Sequence, residues 1–191
     1  MATVVLFHSA LGLRPGVHRF AEDLRERGHQ VHTPDLYGGR TAEDVAAGIA
    51  LRDEVGFTTL LARAEASLLD LDGPLVLAGM SMGCAPAQLL AAGRPGTLGV
   101  VGIHGALAPH DLGLTGWPRI PLQLHLSPDD PWVDAASVDG LLAAVGDDAE
   151  VHRYPGTAHL FTDPDLPDHD PSSRATVVAR VGAALVRWDA G

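Results

Sequence analysis

Ser81 is the residue of this sequence whose surroundings most clearly suggest chemistry, because it lies between two glycines in a G-x-S-x-G pattern from Gly79 to Gly83. The apolar run before it predicts a strand, and the residues after it predict a helix. A serine on such a strand-to-helix turn projects its hydroxyl from a sheet edge, provided that the residues two before and two after are very small. The pattern favours a nucleophilic serine, and a plain glycine-rich turn is the alternative.

A serine hydroxyl needs a histidine base, and a carboxylate must orient that histidine. On a sheet with this turn, the partners follow in the order Ser, then Asp or Glu, then His. His159 lies in a small-residue loop after the last predicted strand, and Asp129 and Asp130 follow the strand before it. We expect His159 to be the base and prefer Asp130 as the acid, since Pro131 fixes the turn directly after it. Asp129 remains the alternative.

Other residues with reactive side chains have simpler interpretations. Three further histidines, His8, His104 and His125, lie on or near the ends of predicted strands and could line a cleft. Cys84 does not occupy the nucleophile position, so we expect it to be a small buried core residue.

Two backbone N–H groups should stabilise the oxyanion of an acyl-transfer reaction. The residue after the nucleophile, Met82, supplies one of them, and the loop of residues 8–12 after the first strand supplies the other, for which we choose Ala10. A plain strand-to-helix connection is the alternative for that loop. Large apolar side chains could also wall the cleft, although core packing would explain each of them equally well: Leu11, Tyr37, Met82, Trp117, Trp132 and Phe161.

The elements that must position these residues alternate along the chain. Apolar runs predict strands at 3–8, 30–33, 74–79, 98–104, 121–127 and 150–154. Helical periodicity lies between them, at 16–27, 57–71, 81–92, 134–145 and 172–188, the last helix beginning with Ser172 or Ser173 as its cap. This order predicts an α/β fold with a mainly parallel sheet and helices on both faces. We see no linker, so we expect one domain over residues 1–191.

Composition excludes several classes of function. The net charge of −11, from 13 basic and 24 acidic residues, argues against nucleic acid or an anionic membrane as partner. The sequence has no lysine, which excludes Schiff-base chemistry and a P-loop. One cysteine permits no internal disulfide, and no apolar run is long enough to span a bilayer. We therefore expect a soluble, cytoplasmic protein. The serine chemistry described above needs no cofactor or metal, and we expect its partner to be a small molecule.

Four segments together resemble the dienelactone hydrolase family of the α/β-hydrolases. They are the opening strand–helix–strand region with the PDLYGG segment at 34–39, the serine turn, the SPDDPWV segment at 127–133 and the YPGTAHLF segment at 154–161. The resemblance spans nearly the whole chain and implies the α/β-hydrolase fold. The short segment between Gly39 and Pro74 implies a minimal cap over the site.

The sequence departs from the family pattern at the nucleophile and around it. Ser81 stands where the dienelactone-cleaving members carry cysteine, and Ser9 stands where they carry a glutamate. Those members also have an arginine shortly after the histidine, where this chain has Asp163, whose charge should repel a substrate carboxylate. We therefore expect a serine hydrolase that cleaves a small, uncharged carboxylic ester, lactone or thioester through an acyl-enzyme on Ser81.

Two other classes of function remain open. The protein could be a catalytically silent ligand-binding module, since a fold does not determine a function. An acidic loop could also bind a cation such as Ca²⁺, although it lacks EF-hand spacing and is more simply read as a solvated loop; its candidate ligands are Asp163, Asp165, Asp168, His169 and Asp170.

Overall fold

Six parallel strands form one sheet in the computed structural model, which describes residues 1–190. The strands lie in the order β2-β1-β3-β4-β5-β6. All six were predicted from the sequence, and their bounds differ from the predicted ones by no more than one residue at either end: β1 Thr3–Phe7, β2 Gln30–His32, β3 Leu75–Met80, β4 Thr97–Ile103, β5 Leu122–Leu126 and β6 Ala149–Arg153.

Helices cover both faces of the sheet, as predicted. One face carries α1 (Pro15–Arg25) and α6 (Pro171–Asp189). The opposite face carries the other four helices: α2 Val45–Val55, α3 Phe57–Ala66, α4 Cys84–Gly93 and α5 Ala135–Val145. The sheet and helices together confirm the predicted α/β fold with a parallel sheet.

Side chains that alternate along the strands build a core on each face. On β1, Val4 and Leu6 pack with α1 and α6, whereas Val5 and Phe7 pack with the helices opposite. Successive residues of a strand point to opposite faces, so a fully covered strand is apolar throughout. This explains why the strands read as continuous apolar runs rather than as alternating patterns.

The helices depart from the sequence prediction in several places. Helix α3 ends at Ala66 rather than at residue 71, and α4 begins at Cys84 rather than at residue 81. The prediction contained no helix at α2, which begins after its cap Asp44 and buries only Gly48 and Leu51. The last helix begins earlier than predicted, and its cap is Asp170 rather than Ser172 or Ser173. Pro171 favours the first helical position, and the Asp170 carboxylate accepts hydrogen bonds from the backbone N–H groups of both serines.

The segment between β2 and β3 forms no separate cap, because Leu51 of α2 and Leu60 and Ala64 of α3 belong to the core beneath them. Among the described residues, no helix is both long and apolar enough to cross a membrane. Because all six strands are parallel, their carboxyl ends share one edge of the sheet, which is where ligands bind in open α/β folds.

Candidate active site

Ser81 begins a short 3-10 turn directly after β3 and has a φ of 50°. This left-handed conformation is unfavourable for a residue with a β-carbon, so the surrounding packing must impose it. A β-carbon at Gly79 would overlap the carbonyl of Gly83, and one at Gly83 would overlap the carbonyl oxygen of Phe7. The two glycines therefore allow strand and helix to approach closely enough to hold Ser81 in this conformation.

Three side chains from different loops form a chain of short contacts at the sheet edge. Ser81 Oγ lies 2.7 Å from His159 Nε2, and His159 Nδ1 lies 2.7 Å from Asp130 Oδ2. Asp130 Oδ1 accepts a hydrogen bond of 2.9 Å from the N–H of Trp132. The neighbouring Asp129 is exposed and is not part of this arrangement. The structure thus brings together Ser81, His159 and Asp130.

Side-chain hydrogen bonds hold the loop that carries His159. Ser127 Oγ, just beyond β5, donates to the carbonyl oxygen of Ala158 at 3.0 Å. On the other side of His159, the Thr162 hydroxyl lies 2.7 Å from Nε2 of His104. The side chains of His159 and Asp130 are only 7% and 1% exposed, so their contact is almost completely shielded from water.

Ala10 and Met82 line the same cavity as Ser81, at the positions predicted for the two oxyanion donors. Helix α2 packs tightly on the loop that contains Ala10, since a β-carbon at Gly48 would lie only 2.7 Å from the Ala10 carbonyl oxygen. The helix that the sequence prediction missed therefore fixes one wall of the site.

The cleft has two lobes that share Val45, Trp132 and His159. The first lobe contains Ser81, has a volume of about 360 Å³, and receives apolar side chains from Ile49, Ala106, Leu107 and Val133. The second lobe has a volume of about 560 Å³ and lies on the other side of His159, where Leu11 and Leu166 contribute apolar surface.

The predicted wall residues divide into those at the cleft and those below it. Leu11 and the half-exposed Trp132 line it. Tyr37 is buried under Met82 and donates to its sulfur. Trp117 donates to the Ile120 carbonyl and lines neither lobe, and Phe161 is buried in the core beneath α1 and α6. Core packing is thus the correct interpretation of Tyr37, Trp117 and Phe161.

Asp163 does not face the cleft, so the expectation that it would repel a substrate carboxylate is wrong. Its carboxylate packs against Gly16 at the start of α1 and lies 3.8 Å from Arg14 Nε. Three other residues of the acidic loop are also engaged: Asp165 is paired to Arg19, Asp170 caps α6, and His169 Nδ1 lies 2.9 Å from the Phe161 carbonyl oxygen. Asp168 instead lines the second lobe. Among the described residues, no group of three or more His, Cys, Asp and Glu side chains is arranged to hold a metal ion.

Burial controls the ionisation of several groups around the site. It lowers the pKa of His8 and moves the pKa of His104 well below the usual histidine value, with the charge of His159 adding to the effect at His104. Burial also raises the pKa of the Cys84 thiol to about 12. Cys84 donates to the Gly79 carbonyl at 3.2 Å and is buried, as predicted from its position.

Sequence reasoning missed the contributions of α2 to the cleft. Val45, Ile49 and Arg52, which recur at helical spacing, all reach the lobe that contains Ser81. Asp44 could have indicated the start of this helix, because aspartate is favoured at the N-cap position.

The three histidines predicted near strand ends have different positions. His104 lines the lobe that contains Ser81, whereas His8 accepts a hydrogen bond from the N–H of Leu36 and His125 is hydrogen-bonded to Tyr154.

Comparisons with known proteins agree with this architecture. The sequence model of the dienelactone hydrolase family matches residues 1–185. No curated protein matches the sequence. Among solved structures, a dienelactone hydrolase-like promiscuous phosphotriesterase from metagenomic libraries is 22% identical, with a TM-score of 0.81 over 98% of this chain and 87% of that one.

Two further structures show the same fold. A putative dienelactone hydrolase from Klebsiella pneumoniae is 18% identical, with a TM-score of 0.77 over 97% of this chain and 87% of that chain. A cold-adapted esterase from an Arctic intertidal metagenomic library is 20% identical, with a TM-score of 0.68 over 96% of this chain and 82% of that chain. Because the family model covers nearly all of the sequence, this chain belongs to the dienelactone hydrolase family and is an ester-hydrolysing α/β-hydrolase enzyme.

Proposed function

We propose that this protein is a serine hydrolase that cleaves a small carboxylic ester, lactone or thioester through an acyl-enzyme on Ser81. The observation that supports this proposal most directly is the pair of 2.7 Å contacts that join Ser81 Oγ to His159 and His159 to Asp130. A hydroxyl, an imidazole and a buried carboxylate in this order are the components that nucleophilic acyl transfer requires.

In the first half of the reaction, Ser81 Oγ bonds to the acyl carbon while His159 Nε2 takes the hydroxyl proton. The oxyanion is stabilised by the N–H groups of Met82 and Ala10. The bond to the leaving oxygen or sulfur then breaks, and His159 gives its proton to the leaving group. Asp130 accepts a hydrogen bond from His159 Nδ1, which fixes the tautomer and stabilises the imidazolium.

In the second half, His159 takes a proton from water, and the resulting nucleophile attacks the acyl carbon. Ser81 leaves and recovers its proton from His159, so the net reaction is hydrolysis. His159 lines both lobes, and we assign the leaving group to the 560 Å³ lobe, which His159 borders and Ser81 does not. The acyl group occupies the 360 Å³ lobe, where the apolar side chains of Ile49, Leu107 and Val133 suit a small or medium, uncharged chain. The same lobe is also lined by charged side chains, those of Arg52, Asp111 and Asp134.

A fluorophosphonate probe tests this proposal, because it bonds covalently only to an activated serine. We expect one adduct on Ser81 of the wild-type protein, found by peptide mass spectrometry, together with hydrolysis of p-nitrophenyl acetate. Ser81→Ala should lose both, with turnover lower by about 10³-fold or more. Ser67→Ala, which removes a hydroxyl at the end of α3, is the matched control and should behave like the wild type.

Labelling at a residue other than Ser81 would contradict the proposed nucleophile. A protein that is folded but neither labelled nor active on any acyl ester or thioester would instead favour a silent ligand-binding module.

A further inference from the structure

His104 shares an unusual backbone conformation with Ser81. Within residues 1–190, these are the two residues other than glycine that have a positive φ, and the value at His104 is 63°. The conformation is unfavourable for a residue with a β-carbon, and such strain is concentrated at functional sites. The strand-to-helix turn explains the strain at Ser81, but nothing in the proposed acyl transfer explains it at His104.

The turn at His104 packs the chain against the nucleophile. His104 follows β4 directly, and its N–H donates to the His125 carbonyl at 2.9 Å, which extends the pairing with β5. The left-handed turn then directs the chain so that Gly105 lies beside Ser81. A β-carbon at Gly105 would be 3.4 Å from Ser81 Cα and 3.5 Å from its carbonyl oxygen.

The imidazole of His104 meets the loop that carries the base. Its Nε2 lies 2.7 Å from the Thr162 hydroxyl, and its ring packs edge-on against Phe161 with the ring centres 4.5 Å apart. The centre of the His159 ring is 6.1 Å away. One side chain, 1% exposed, thus connects the wall beside Ser81 to the loop that contains His159.

The environment of His104 keeps this side chain neutral. Its pKa is well below that of an ordinary histidine because of burial and, to a lesser extent, the charge of His159. Nδ1 is buried without a hydrogen-bond partner among the described residues. A buried N–H without an acceptor is rarer than an unpaired acceptor, so the proton resides on Nε2, which donates to Thr162 Oγ1.

We propose that His104 is a positioning residue for His159: its hydrogen bond to Thr162 sets the distance between the base loop and Ser81. The left-handed turn is required because it brings the following residue, Gly105, beside Ser81 while the His104 side chain reaches the base loop. A neutral ring also adds no positive charge beside the imidazolium that forms during acyl transfer. The inference depends on the proposed role of His159 as the base.

Thr162→Val tests the inference with little change in side-chain shape, because it replaces the hydroxyl that His104 binds. We expect kcat for p-nitrophenyl acetate to fall about tenfold, with KM unchanged within a factor of two, since only proton transfer is misaligned. Labelling of Ser81 by the fluorophosphonate should slow by a similar factor. Thr162→Ser, which keeps the hydroxyl, should restore most of kcat. Thr176→Val, the same exchange on the exposed face of α6, should have no effect.

His104→Asn supplies the second arm, because asparagine tolerates the left-handed conformation but is too short to replace the imidazole. It should also lower kcat about tenfold. In the double variant kcat should fall about tenfold rather than about a hundredfold, since both substitutions remove the same hydrogen bond. Circular dichroism and thermal unfolding identify variants that are folded, and Thr162→Ala replaces Thr162→Val if the valine variant is not.

The results separate the two proposals. Multiplicative losses in the double variant, an unchanged kcat in Thr162→Val or a failure of Thr162→Ser to restore kcat would overturn the positioning role while leaving Ser81 as the nucleophile. A wild-type protein without labelling at Ser81 would overturn the proposed function itself.

Discussion

The turn that carries Ser81 and the loop that carries His159 meet at the same sheet edge, but different interactions hold them. Around Ser81 the constraint is steric: Gly79 and Gly83 contact backbone atoms so closely that neither has room for a β-carbon. Around His159 the constraint is polar, with hydrogen bonds from Ser127 and between His104 and Thr162. The nucleophile is held by close packing of the main chain, and the base is held by hydrogen bonds from side chains that can each be substituted.

This difference indicates how each part of the site should respond to mutation. A steric constraint fails abruptly, because one added methyl group must displace main chain. A set of hydrogen bonds fails by degrees, because each neutral bond contributes only about 1 kcal/mol. The exception on the polar side should be Asp130, whose carboxylate contacts the base itself.

Asp130→Asn should give the largest effect, a fall in kcat of about 10³- to 10⁴-fold, because an amide cannot hold the imidazole in the required tautomer. The measurement is steady-state hydrolysis of p-nitrophenyl acetate by the folded variant. Asp129→Asn is the matched control, because that side chain is exposed, and it should retain full activity. A large loss in Asp129→Asn with an active Asp130→Asn would reverse the assignment of the acid.

Gly83→Ala should lower kcat by about 10²-fold, the cost expected for a displacement of about 1 Å at a reacting group. The added methyl group would overlap the Phe7 carbonyl oxygen and lie 2.7 Å from that of His8, so the turn must move. Kinetics and thermal unfolding of the purified variant measure the effect. Gly93→Ala in α4 has open space for the methyl group and should be as active as the wild type. Normal activity in Gly83→Ala would refute the steric account of the turn.

The smallest effect should be a dependence of the free energy of unfolding on pH, which arises from buried histidines at the ends of the strands. Burial, reinforced by nearby positive charges, moves the pKa values of His104 and His125 well below the ordinary histidine value of 6.5. The unfolded chain therefore binds protons that the folded protein does not, so stability is greatest above pH 6.5 and falls as the pH is lowered. Each histidine contributes at most about 1.4 kcal/mol per pH unit.

Urea unfolding between pH 7.5 and 5 measures this dependence, and the range lies above the ordinary titration of carboxylates. His125→Gln should reduce the slope, because it removes one of the buried histidines whose pKa is lowered most strongly. An unchanged slope in this variant would show that His125 does not take up a proton on unfolding.

Local sequence signals predicted the sheet and the residues that follow each strand, because apolar runs and small-residue turns are properties of short segments. They therefore indicated the loops of Ser81, Asp130 and His159. They did not indicate which way a neighbouring side chain points. Phe161 lies two residues beyond His159 but enters the core under α1 and α6, and Asp163 packs on Gly16.

Helix α2 was missed for a related reason. It buries only Gly48 and Leu51, so its sequence lacks the broad apolar stripe by which an amphipathic helix is recognised. Its contribution is to press on the Ala10 loop and to extend Ile49 and Arg52 towards the cleft. The role of His104 was equally hidden, since a left-handed backbone and a contact with Thr162 are tertiary features.

The backbone origin of the Ser81 turn also bears on how the family could diversify. Main-chain packing around Gly79 and Gly83 determines where the β-carbon of residue 81 lies, whichever atom is attached to it. An exchange between a hydroxyl and a thiol at this position thus requires no change in the turn. It requires only surroundings that suit the pKa of the thiol. The shape of this turn is therefore compatible with either nucleophile at position 81.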